Sequence, residues 1–138
     1  MADYHFTKQL ENNLEALPLL VEEIELFAQK AEWPNTVAMQ INLVIEELFV
    51  NTINYGYSNS RIGTITIFIQ SDSKKIIIEI RDDGDAFNPL NNKLPDTSLE
   101  IEDRPIGGLG IFLVKTYMDT FEYSYIDGQN VVSLSKGL

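Results

Sequence analysis

The stretch from Val44 to Tyr57, VIEELFVNTINYGY, constrains the fold more than any other, because it is an apolar helical run that still carries Glu46, Glu47, Asn51 and Asn54. Asn51 follows Glu47 by one helical turn, so the two side chains stack on one side of the helix. An amide left unpaired in a core costs roughly 2 kcal/mol or more, and an unpaired charge costs more still. Such a helix must either pin its neighbours through these groups or face a cavity in which something polar binds. Glu46 stands five positions before Asn51 and points about 140° away from it around the helix, which makes it a solvated or supporting residue.

The apolar positions of the same helix, Val37, Ile41, Val44, Ile45, Leu48, Phe49 and Ile53, cover more than half of its circumference, so it is packed on more than one side. Trp33-Pro34 precedes it, with Asn35 or Thr36 as cap, and Gly56 suits a left-handed cap at its end. Upstream, Tyr4 to Leu10 reads as a short edge strand. Asn12 or Asn13 then caps a helix with Leu14, Leu17, Leu20, Val21, Ile24, Phe27 and Ala28 at spacings of three and four, and Pro18 falls in its first turns. Downstream, Ile65, Ile67 and Ile69 alternate along one strand and Ile76, Ile78 and Ile80 along the next, joined by a hairpin turn at Ser71 to Lys74. A long aperiodic segment with Pro89, Pro95 and Pro105 follows, of the kind that forms lids or binding loops. Gly107-Gly108-Leu109-Gly110 opens a helix whose inner stripe is expected to be Leu109, Phe112, Leu113, Tyr117 and Met118. A hairpin turning at Asp127-Gly128 closes the chain. This order predicts an α/β two-layer sandwich, with helices on one face of a mixed, mostly antiparallel sheet.

With 138 residues, the chain reads as one domain, 1–138. Its 21 acidic and 10 basic residues, a formal net charge of -11, argue against a nucleic-acid or anionic-membrane partner. There is no cysteine, which excludes disulfide and thiol chemistry and points to a cytoplasmic location. The N-terminus lacks a leader pattern, and no apolar run approaches the roughly 18 residues of a membrane span.

Three segments carry chemistry. Glycines leading into a helix let backbone amides approach an anion at a positive helix end. GGLG fits that description, although neither the GxGxxG fingerprint nor a P-loop is present. Asp82-Asp83-Gly84-Asp85-Ala86 ends an apolar strand. A carboxylate there can accept from an exocyclic amine, while glycine and alanine leave room for a flat ring. The spacing is not that of an EF-hand. Glu47 can serve as general base and the Asn51 amide oxygen as a hard ligand for Mg²⁺.

In their order, ELFVN at Glu47 to Asn51, DDGDAF at Asp82 to Phe87, and GGLGIFLVKTYMD at Gly107 to Asp119 resemble the N box, G1 box and G2 box of the GHKL ATPase and kinase superfamily. Within it the chain is similar to the anti-sigma-factor serine/threonine kinases of SpoIIAB/RsbW type, from about Gln9 to the end. The resemblance implies a Bergerat-type ATP-binding fold, ATP and Mg²⁺ as cofactors, Glu47 as general base and Asn51 as the Mg²⁺ ligand. Asp82 would receive the adenine amine, Gly84 and Ala86 would lie beneath the base, and an ATP lid would span about 86–107. Gly108, Leu109 and Gly110 would turn amides to the phosphates, with Arg104 and Lys115 as candidate cationic contacts.

Such kinases are homodimers that phosphorylate a small STAS-type antagonist protein and sequester a sigma factor. The other function open to the chain is a non-catalytic nucleotide-binding module that sequesters a protein. Two departures stand out. Gly128-Gln129-Asn130-Val131 lacks the threonine many relatives carry there, leaving Asn130 as the nearest polar contact to a base, and Tyr55 replaces a histidine found in some.

Overall fold

The computed structural model describes residues 3–58, 61–91 and 108–138. Strands β1 (Tyr4–Glu11), β2 (Thr64–Ser71), β3 (Lys75–Asp82), β4 (Thr120–Ile126) and β5 (Gln129–Gly137) form one sheet in the order β1-β2-β3-β5-β4. Each of its four pairings is antiparallel. Helices α1 (Leu17–Lys30), α2 (Asn35–Gly56) and α3 (Gly108–Tyr117) pack on one face. The period-two isoleucines fix which face that is. Ile65, Ile67, Ile76 and Ile78 are fully buried, as are Ile41, Ile45 and Phe49 of α2, and each such side chain stabilises the fold by about 1.5–3 kcal/mol. On the other face Phe68 and Ile77 are exposed, so the result is the expected two-layer α/β sandwich of Bergerat type.

α2 is the helix of the inner layer, and both of its ends are set by tertiary contacts. At its start Pro34 holds the cap position with extended backbone and no side-chain cap bond, and Asn35 is already helical. The preceding Trp33 is anchored instead, its Nε1 donating to Ser71 Oγ at 2.9 Å while its ring packs edge-on against Phe27. At its end Gly56 does not take the left-handed conformation expected from sequence. It closes the helix, and Tyr57 leaves in extended backbone at φ -129. The reason is a neighbour, since the Gly56 carbonyl accepts from the backbone N–H of Asp85 in the turn after β3. The α3 stripe differs in part from expectation: Tyr117 and, just past the helix, Met118 pack on the core as expected, but Ile111 and Val114 take the buried positions and Phe112 is exposed.

Asn13 caps a short 3-10 turn ahead of α1, its Oδ1 accepting from Glu15 N–H. The β4–β5 hairpin turns through Asp127 (φ 52) and Gly128 (φ 79), the positive-φ pair that a two-residue hairpin with the sheet's right-handed twist requires. A Cβ at Gly128 would meet nothing within 4 Å. Gly128→Ala is therefore expected to cost only the backbone term, about 1 kcal/mol, in denaturant unfolding. A loss above about 3 kcal/mol would contradict this account.

Candidate functional site

Asn51, Asp82 and Asn130 are three of the buried polar side chains, at 2%, 6% and 3% exposure, and they line one pocket. Its walls are α2 and the turn after β3, and its apolar floor is Leu48, Ile80 and Val132. Strand register brings two of them together, because Asp82 of β3 pairs with Asn130 of β5. Asn130 Nδ2 donates to Asp82 Oδ1 at 2.8 Å, and Gly84 N–H donates to the same oxygen at 2.9 Å. Burial pushes the Asp82 carboxyl up from its ordinary value, and these two hydrogen bonds pull against it.

The acidic turn divides its carboxylates among three tasks. Asp82 enters the pocket. Asp83 accepts from Thr64 N–H at 2.9 Å and from the Tyr57 hydroxyl at 2.8 Å; burial raises its carboxyl, but the hydrogen bonds outweigh that and hold it below the usual range. Asp85 accepts from Ser58 N–H at 3.2 Å and pairs with Arg61 at 3.4 Å, an exposed pair that solvent screens. The turn is thus fastened to the end of α2. Gly84 is required by that fastening: an added Cβ would overlap the Gly56 carbonyl oxygen and lie 3.0 Å from its carbon. Ala86 is exposed just beyond. Phe87 then stacks on Tyr55 of α2, with ring centroids 5.4 Å apart at 18°.

Asn51 is the anomaly its sequence context announced, since among the described residues its buried Nδ2 has no hydrogen-bond partner. Leaving such a group unsatisfied costs about 1–3 kcal/mol. Glu47, one turn earlier on α2, lies outside the pocket lining and against the start of α3. A Cβ at Gly110 would overlap its Oε2 and sit 2.7 Å from its Cδ. The Glu47 carboxyl is pushed above its ordinary value of 4.5, first by burial and then by the charge of Glu46. Among the described residues it has no hydrogen-bond or ion-pair partner.

Gly108 and Leu109 form the first residues of α3. Lys115 is exposed in the last turn of that helix, about 10 Å along the axis from Gly108, and makes no ion pair with a described residue. Arg104 and the segment 92–107 of the expected lid lie outside the described residues. The structure also brings in residues that sequence patterns did not single out: Tyr57, Phe87, Tyr123 and Gly63. At Gly63 an added Cβ would strike the Tyr57 ring and lie 2.6 Å from Asp83 Oδ1. The glycine's place at the end of the polar loop that leads into β2 was the available signal.

No helix of the described residues is long and apolar enough to cross a membrane. The sequence profile described as "Histidine kinase-like ATPase domain" matches residues 10–136. The serine-protein kinase RsbW of Listeria monocytogenes serovar 1/2a is 26% identical over 138 residues, covering 96% of this chain and 88% of that protein. The serine/threonine-protein kinase BtrW of Bordetella bronchiseptica is 21% identical over 112 residues, covering 81% and 79%. Among solved structures, the histidine kinase domain from the Erythrobacter litoralis EL346 blue-light activated histidine kinase superposes with a TM-score of 0.54 at 13% identity, over 88% of this chain and 58% of that one. That likeness is one of fold. The matched profile spans the segments at Glu47–Asn51, Asp82–Phe87 and Gly107–Asp119, and the chain belongs to the histidine kinase-like ATPase (GHKL) family, with its link inside that family to the RsbW serine-protein kinases.

Proposed function

We propose that the protein binds MgATP in the pocket between α2 and the turn after β3 and transfers a phosphoryl group to a serine or threonine of a small partner protein. The observation that carries this reading is the buried Asn51 Nδ2, which has no hydrogen-bond partner among the described residues, on the wall of a pocket that also holds the Asp82 carboxylate. A buried amide there needs a polar ligand group. Its carbonyl oxygen suits Mg²⁺ and its NH₂ suits a phosphate oxygen.

Among the described residues no cluster of three His, Cys, Asp or Glu side chains could hold a metal, so a metal at Asn51 would take its other ligands from phosphates and water, as Mg²⁺ does. The Asn51 amide oxygen would hold Mg²⁺, which would supply charge neutralisation to the phosphates. Asp82 offers an acceptor to the adenine amine, and the Tyr55–Phe87 stack stands at the pocket edge. The first amides of α3, at Gly108, Leu109 and Gly110, lie at a positive helix end suited to phosphate oxygens. Arg104 and Lys115 are the candidate cations, and a chain at -11 needs both them and the metal to admit a polyanion. Glu47 takes the proton of the attacking hydroxyl. Its raised carboxyl is a stronger base than an ordinary glutamate, and no donor from a described residue competes for it.

The names of the RsbW and BtrW relatives support serine or threonine as the acceptor. The partner class is a STAS-type antagonist with a sigma factor as the competing ligand, and the working unit is a homodimer of this single domain in the cytoplasm. Calorimetry with MgATP, followed by labelled phosphate transfer to the antagonist protein, tests the reading. Micromolar binding that requires Mg²⁺ and a phosphorylated serine or threonine are expected. Binding without transfer would leave a nucleotide-dependent sequestering module, and no binding would sink the proposal.

A further inference from the structure

Asn130 is buried on β5 opposite Asp82, and its side chain has no hydrogen-bonding capacity left for a ligand. An amide offers two N–H donors and two acceptor lone pairs. Here Nδ2 donates to Asp82 Oδ1 and to the Asp85 carbonyl, each at 2.8 Å. Oδ1 accepts from Phe87 N–H at 3.0 Å and from the Tyr123 hydroxyl. The amide cannot be the other way round, because the Phe87 N–H can only donate and the Asp85 carbonyl can only accept. Two backbone groups of opposite polarity fix its orientation.

The consequence falls on Asp82. Its Oδ1 takes both Asn130 Nδ2 and Gly84 N–H, while no donor from a described residue reaches Oδ2. We propose that Asn130 is a positioning residue that does not touch the base: by holding Asp82 Oδ1 it presents Oδ2 to the pocket as a fixed acceptor, and so selects purines with an amino group at C6 over those with an oxygen there. This rests on the reading of the pocket as a nucleotide site.

The surroundings agree. Burial raises the Asp82 carboxyl, and the Asn130 hydrogen bond is the largest influence keeping it ionised. Asp83 and Arg61 act on it with opposite signs. Leu48, Asn51 and Thr52, which face the pocket from α2, carry no charge. An ionised carboxylate accepts only, and a 6-oxo purine offers it no donor at that position.

Asn130→Asp tests this with almost no change of shape. The acceptor side towards Phe87 and Tyr123 is kept, but an oxygen now faces Asp82 Oδ1. Two carboxylates so placed share a proton, which lets Asp82 donate as well as accept. Calorimetry with the magnesium complexes of ATP and inosine triphosphate is expected to show the wild type preferring ATP by at least about tenfold, and the variant by less than about twofold. An unchanged ratio, or an equal loss of both affinities, would overturn the proposal.

Should the variant not fold, NMR of the wild type decides. Asn130 side-chain amide protons that remain protected on adding MgATP, with no scalar coupling to an adenine nitrogen, support the positioning role, and such a coupling overturns it. If the wild type binds neither nucleotide, the pocket reading falls and takes this inference with it. If it binds ATP and Asn130→Asp keeps the ratio, this inference alone fails.

Discussion

Glu47→Gln is expected to lower the rate of phosphotransfer by about 10²–10⁴-fold, the usual contribution of a positioned general base, while MgATP affinity stays within about threefold. The amide keeps the volume and position of the carboxylate and removes only its ability to take a proton. The split between rate and affinity follows from placement, because Glu47 lies outside the pocket lined by Asn51, Asp82 and Asn130. Gly110→Ala is expected to reproduce much of the defect by another route. The added methyl would occupy the space of the Glu47 carboxylate, the flexible end of a side chain that can swing aside, so activity falls with little loss of stability.

The pH profile gives an independent check. Since burial and then Glu46 raise the Glu47 carboxyl above 4.5, the rate should climb with pH only through that raised value, where the base becomes ionised. Glu46→Gln removes one of the two causes, so the acidic limb should move to lower pH. A limb that stays in place in Glu46→Gln, or a Glu47→Gln enzyme with wild-type rate, would remove Glu47 from the chemistry.

What could be read from sequence divides along a physical line. Period-two isoleucines specify a buried face because a one-residue slip would expose every one of them, and Ile65, Ile67, Ile76 and Ile78 are fully buried. The anomaly of Asn51 was legible for a related reason: a polar group among apolar helix positions needs a partner, whatever the fold. The stripe of α3 was legible only at its end, at Tyr117 and Met118. GLGIFLV is apolar on every side, so periodicity could not choose between Phe112 and its neighbours Ile111 and Val114, and only packing on α2 decided. The end of α2 at Gly56 was legible, but the conformation of that end was not, because local rules assign glycine a left-handed cap, whereas Gly56 answers to the carbonyl contact with Asp85. Asn130 shows the same limit. Its partner Asp82 lies 48 positions away, across a pairing of strands that are not consecutive, which local pattern does not carry.

Gly84→Ala is expected to damage both fold and site, with a loss of about 3 kcal/mol of stability and MgATP affinity lower by at least about 30-fold. The contrast with Gly110 explains why. At Gly110 the methyl meets a side-chain end. At Gly84 it meets the carbonyl of Gly56, with the carbonyl carbon at 3.0 Å and Asp82 Oδ1 at 2.9 Å on the other side.

Neither backbone can yield alone, because the Asp85 N–H to Gly56 carbonyl bond holds them together and Gly84 N–H is itself bonded to Asp82. Relieving the overlap means lifting the turn off the end of α2, which breaks both bonds and turns the Asp82 carboxylate away from the pocket. Overpacking against backbone sits at the upper end of the 1–3 kcal/mol usual for added methylenes. The measurement is paired thermal unfolding and MgATP calorimetry on both alanine variants. If Gly84→Ala proved as stable as Gly110→Ala and bound MgATP as the wild type does, the docking of turn on helix end would not be what shapes the pocket.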